Sequence, residues 1–83
     1  MSTFDSVKQV LGDTLQLGSR VNLLTAQTAL LGSVPELDSM AVVTVLASIE
    51  ETFGIRIDDD EVSAELFATV GTLTSFVERK LAG

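Results

Sequence analysis

The stretch PELDSMAVVTVLASIEETFGI, Pro35 to Ile55, decides how this chain folds. Asp38 and Ser39 each offer a short side-chain oxygen that can cap a helix start. Neither has a Glu or Gln three residues on, so there is no capping box. Gly54 supplies the stop. Between these signals lies a two-sided helix. Val42, Val45, Leu46, Ile49 and Phe53 recur at the spacing of one buried stripe. Met40, Thr44, Ala47 and Glu51 fall opposite, with Val43 and Glu50 on the flank. A surface helix is normally polar on that side. This one keeps a Met, a Val and an Ala there, followed by two carboxylates. The face reads as a surface held partly apolar for a partner, with Ser39 at its top.

N-terminal to this helix, Phe4, Val7, Val10, Leu11 and Leu15 predict a helix over roughly residues 3–17. Ser2 or Thr3 can cap it, Asp5 suits the dipole of its first turn, and Gly18 can end it. Gly12 inside it costs ~1 kcal/mol relative to Ala, which suggests close approach of a neighbour. Residues 19–38 show no sustained period. A structureless loop of that length needs pinning, and Leu23, Leu24, Leu30 and Leu31 are the expected pins, with one helical turn near Thr25 to Leu30. Pro35 biases Val34 towards extended backbone.

C-terminal to it, Ile55 and Ile57 can turn inward from a short extended link. Asp58-Asp59-Asp60-Glu61 lacks the glycine and the later bidentate Glu of a calcium loop, and reads as a solvated acidic turn. A short helix is expected over Val62 to Phe67, with Leu66 and Phe67 inward. Thr69 then caps a last helix from Val70 to Leu81. Val70, Leu73, Phe76, Val77 and Leu81 form its stripe, and Arg79 and Lys80 lie in its last turn, where cations suit the dipole. The expected fold is all-α: a small four-helix antiparallel bundle, three main helices and one short, with a long first loop, in a single domain over residues 1–83.

The charge excludes several function classes. The net charge is −7 over 83 residues. Residues 1–35 are balanced, whereas residues 36–83 hold ten acids against Arg56, Arg79 and Lys80. Nucleic acid is a poor partner, because phosphate binding needs clustered Lys and Arg. An anionic membrane surface is poor for the same reason. Basic patches on proteins are the natural complement. No stretch reads as a membrane span or signal peptide. With no Cys, disulfides and thiolate metal sites are ruled out and a cytoplasmic home is compatible; no metal site is expected.

Ser39 as an enzyme nucleophile fails for want of parts. A Ser hydroxyl needs a positioned base, and the chain has no His and no Gly-x-Ser-x-Gly elbow. Nothing suggests that Lys8 or Lys80 reaches the helix top. No self-contained catalysis is expected. Ser39 is either a plain helix cap or a hydroxyl acted on by another enzyme. Residue chemistry alone favours the cap, since Ser at a helix start is commonplace.

Asp-Ser-Met opening an amphipathic helix, after a long loop and before an acidic stretch, resembles the acyl carrier protein family. The resemblance covers most of the chain. It is strongest from Leu30 to Phe53 and runs on through Ile57-Asp58 and Thr69-Val70. It implies that Ser39 receives a covalent 4'-phosphopantetheine arm from coenzyme A, inside a phosphopantetheinyl transferase that brings Mg²⁺ and the base. Asp38 would help to dock that transferase and its metal. The arm's thiol would carry an acyl group as a thioester. Met40, Val43 and Ala47 would form the apolar part of the partner surface. Glu50 and Glu51 would meet basic patches on acyl-loading, condensing and modifying enzymes of fatty acid, polyketide or related biosynthesis. Val42, Val45, Leu46, Ile49 and Phe53 would line the core that shelters acyl chains in some relatives. The chain would act as a monomer.

Three departures from the family pattern stand out. Met40 replaces the usual Leu, a swap of similar volume. Ala41 and Thr44 stand where fatty-acid carriers commonly have carboxylates. Pro35-Glu36-Leu37 replaces a small, Gly-containing lead-in. Together they resemble a specialised bacterial carrier. The missing Gly-Gly-His/Asp-Ser pattern argues mildly against a peptidyl carrier, and a peptidyl or aminoacyl carrier stays as one alternative. The alternative from another class is a small acidic helical interaction domain with no prosthetic group.

Overall fold

The computed structural model describes residues 2–30 and 38–82. Leu31, Pro35 and its effect on Val34, and the Pro35-Glu36-Leu37 lead-in lie outside them. Three α-helices carry the fold: α1 (Thr3–Thr14), α2 (Ser39–Phe53) and α3 (Val70–Ala82). Helix α1 packs against both α2 and α3. The core lies where the three stripes meet, with Val7 and Leu11 of α1, Val45 and Ile49 of α2, and Val70, Leu73 and Val77 of α3 fully buried. The architecture is the all-α bundle that the periodicity predicts.

The boundaries refine the sequence reading. Ser2 caps α1 by accepting the Asp5 N–H at 3.1 Å. The helix ends at Thr14, earlier than expected, and Gly18 is not its stop. Gln16 takes the left-handed conformation at φ 55°, and the Leu17 N–H reaches back to the Gly12 carbonyl at 3.0 Å. That is a Schellman closure with a Gln in the glycine position. The sequence gives no cue for it, because Gln seldom adopts that conformation. Gly18 instead opens a 3₁₀ helix, Gly18–Leu23, that lies along α1. The reason for Gly12 is that helix: a Cβ at position 12 would meet Val21 Cγ2 at 2.9 Å.

The first connection is pinned by two of the expected leucines. Leu30 is 1% exposed and Leu24 is buried, but Leu23 is 75% exposed and pins nothing. The helical turn expected near Thr25 is instead a tight turn closed by the Thr28 N–H on the Thr25 carbonyl. Backbone adds a second set of pins. The Gly71 N–H donates to the Ala26 carbonyl at 2.9 Å and the Val70 N–H to Thr28 at 3.0 Å. The Leu30 N–H returns a bond to the Ala68 carbonyl at 3.2 Å. The loop thus satisfies two of the orphan N–H groups at the start of α3, which would otherwise need side chains or water. Gly71 permits this contact, since a Cβ there would lie 2.8 Å from the Ala26 carbonyl oxygen.

The short helix is 3₁₀ in form and covers Ala64–Phe67, with Leu66 and Phe67 buried as expected. The acidic turn is itself a 3₁₀ helix, Asp59–Glu61. It is not simply solvated. Glu61 Oε1 accepts the Asp58 N–H at 3.0 Å, and the same carboxylate holds Lys80 Nζ at 2.9 and 3.1 Å. The backbone hydrogen bond, then the ammonium, hold the Glu61 carboxyl below its ordinary pKa. Lys80 therefore serves Glu61 as well as the α3 dipole. Thr69 caps α3 reciprocally with Thr72: each hydroxyl accepts the other residue's N–H, at 3.1 and 3.0 Å.

Candidate functional site

The site is the N-terminal end of α2 and the face that descends from it. Asp38 is extended, at φ −104° and ψ −174°, and Ser39 is the first residue inside the helix. Asp38 Oδ1 accepts the Ala41 N–H at 2.8 Å, and the Asp38 carbonyl accepts the Val42 N–H at 2.9 Å. Of the two candidate caps, Asp38 is the one used. Ser39 is left exposed, and among the described residues its hydroxyl has no hydrogen-bond partner. Its own N–H and that of Met40 belong to the orphan first turn, at the positive end of the helix dipole. A helix end of this kind favours an anion beside it.

The face below Ser39 is open. Met40 is 74% and Val43 62% exposed, and Ala47 and Glu51 are exposed as well. Thr44, also exposed, turns its hydroxyl back to the Met40 carbonyl at 3.1 Å. From Met40 to Ile49 the helix carries no charge. Glu50 is half-buried, and its Oε2 accepts the Ile57 N–H at 2.8 Å. Its carboxylate is thus partly committed inside the molecule, whereas that of Glu51 is free to solvent.

The opposite face grades from core to margin. Val45 and Ile49 are fully buried. Val42, Leu46 and Phe53 are partly buried against the core, and Ala41 joins them. Leu46 also reaches a groove of about 210 Å³ shared with Val43, Ala47, Glu50, Ile57, Asp59 and Val62. The role of Ile57, Asp59 and Val62 beside the α2 face is not evident from the sequence. The inward Ile pair is the one signal for it. At the foot of the helix Gly54, at φ 66°, makes the left-handed turn that brings residues 55–62 back along α2.

Residues 5–77 match the family model described as a phosphopantetheine attachment site. The chain is similar to acyl carrier proteins of Thermotoga maritima (30% identical, 94% of this chain and 90% of that protein) and Sulfurovum sp. (37%, 94% and 97%). It is also similar, over all of both chains, to a solution NMR structure of holo acyl carrier protein from Nitrosomonas europaea, with a TM-score of 0.93 and 52% identity. No helix among the described residues is long and apolar enough to cross a membrane. The fold, the exposed hydroxyl at the capped start of α2 and these likenesses agree: the chain belongs to the acyl carrier protein family, whose members bear a phosphopantetheine attachment site.

Proposed function

We propose that Ser39 is the residue that takes the phosphopantetheine arm. The observation that carries this reading is the position of the hydroxyl: exposed, free of intramolecular partners among the described residues, and at the first position of a helix whose cap is already supplied by Asp38. Ser39 Oγ bonds to the pantetheine-bearing phosphorus of coenzyme A. The pyrophosphate P–O bond breaks, adenosine 3',5'-bisphosphate leaves, and the hydroxyl proton passes to a base of the transferase. When attached, the arm supplies a thiol that carries an acyl group as a thioester. The chain itself orients and presents.

Asp38 does this by fixing where the helix starts. Met40, Val43 and Ala47 offer apolar contact beside Ser39, and Glu51 and part of Glu50 offer charge to basic patches further down the face. The uncharged run from Met40 to Ile49 supports partners that meet the carrier through apolar contact near Ser39 and through Lys or Arg about three turns away. Cytoplasmic biosynthetic enzymes that load, condense and modify acyl groups fit this role.

The test is an intact mass after incubation with coenzyme A, Mg²⁺ and a broad-specificity phosphopantetheinyl transferase. One phosphopantetheine adduct, absent from Ser39→Ala, is expected. No adduct with several transferases would leave an interaction domain without a prosthetic group.

A further inference from the structure

Two glutamates tie residues 57–62 to the helices on either side. Glu50 of α2 takes the Ile57 N–H through Oε2 at 2.8 Å. At the other end, both oxygens of Glu61 hold Lys80 Nζ of α3, at 2.9 and 3.1 Å. Among the described residues, the other hydrogen bonds of this segment are short-range: Glu61 N–H to the Asp58 carbonyl, Val62 N–H to the Asp59 carbonyl, and Asp58 N–H to Glu61. Beneath the segment runs the groove lined by Leu46 and Ala47 on the α2 side and by Ile57 and Val62 on the other.

We propose that residues 57–62 form a strap over the α2 groove, latched to α3 by the Glu61–Lys80 pair, and that release of this latch opens the groove. The chemistry of the two ends differs. The Glu50 bond reaches a backbone N–H next to a half-buried Ile side chain and is shielded on one side. The Glu61–Lys80 pair joins two flexible side chains that are 27% and 30% exposed. An ion pair that meets solvent is screened by salt and costs side-chain entropy to hold. It is the end that yields first. Lys80 is 27% exposed, so water can solvate its ammonium on release. Opening would expose Ile57 and Val62 beside Val43 and Ala47, on the face assigned above to partners. The latch would then set how much apolar surface the carrier presents. That consequence rests on the carrier reading; the latch itself does not.

The test is amide hydrogen exchange by NMR on the unmodified full chain, with methyl relaxation dispersion at Ile57 and Val62 as a second measurement. Glu61→Gln and Lys80→Met should each raise exchange at the Ile57 and Val62 amides about threefold, the scale of one exposed ion pair. The double variant should rise no further than either single one. Lys80→Arg should restore the wild-type rates. The Leu73 and Val77 amides, which report global unfolding, should rise by no more than the loss of folding stability measured for the same variant. Unchanged rates and dispersion at Ile57 and Val62 would overturn the proposal. So would a rise at Leu73 and Val77 with no change in methyl dispersion at Ile57 and Val62, which would make the pair a support of the whole bundle and not a latch. No transferase or coenzyme A enters this experiment, so its failure is separable from failure of the Ser39 assignment.

Discussion

Asp38 Oδ1 takes the Ala41 N–H at 2.8 Å, and by doing so makes Ser39 the first residue of α2. The bond is a cap, so its loss should be read in stability. Asp38→Ala should cost about 1 kcal/mol, and Asp38→Asn, which keeps the accepting oxygen, a few tenths at most. Urea unfolding followed by circular dichroism checks both. Equal losses in the two variants would mean that charge, not the cap, is what Asp38 contributes.

Gly71 holds the first loop against α3. A methyl group there would sit 2.8 Å from the Ala26 carbonyl oxygen, which is backbone and cannot swing aside. Gly71→Ala should therefore destabilise by about 1–3 kcal/mol, the range for overpacking. This opposes the smaller gain that Ala brings over Gly in the first turn of a helix. The midpoint of denaturant unfolding gives the sign directly.

The leucines of that loop are not equivalent. Leu30, 1% exposed, should cost about 2–5 kcal/mol when cut to Ala. Leu23, 75% exposed, should change stability by no more than about 0.5 kcal/mol when replaced by Ser. Thermal melts of the two variants should differ plainly.

Glu61 gives the chain a pH signature. The Asp58 N–H and Lys80 hold its carboxyl below its ordinary pKa. A carboxyl with a depressed folded-state pKa adds stability that is fully present above its unfolded value and is lost as pH falls through the folded value. The stability gap between wild type and Glu61→Gln should be constant from pH 7 down to the top of the usual carboxylate range. It should then close on further acidification. Denaturation midpoints across a pH series check this, and a gap that widens in acid would contradict it.

The helices were legible because their stripes were. Val45 and Ile49, or Leu73 and Val77, recur at a spacing that only a helix puts on one face, and the core is built from those residues. Met40 and Val43 are exposed for the same geometric reason. What the sequence hid were contacts between distant segments. The bonds from Gly71 to Ala26 and from Ile57 to Glu50 use a backbone group on at least one side, which leaves no mark in side-chain patterning. The pairing of Glu61 with Lys80 spans 19 residues and depends on how a 3₁₀ turn meets α3. The apolar period runs on past the end of α1 at Thr14 because Gln16, not a glycine, takes the left-handed turn.

The most direct test locates the modification. The transferase-treated chain should be digested and the fragments sequenced by tandem mass spectrometry. The phosphopantetheine adduct should map to Ser39, within Asp38-Ser39-Met40, and Ser39→Ala should remain unmodified. An adduct on another Ser or Thr, or a modified Ser39→Ala chain, would contradict the assignment.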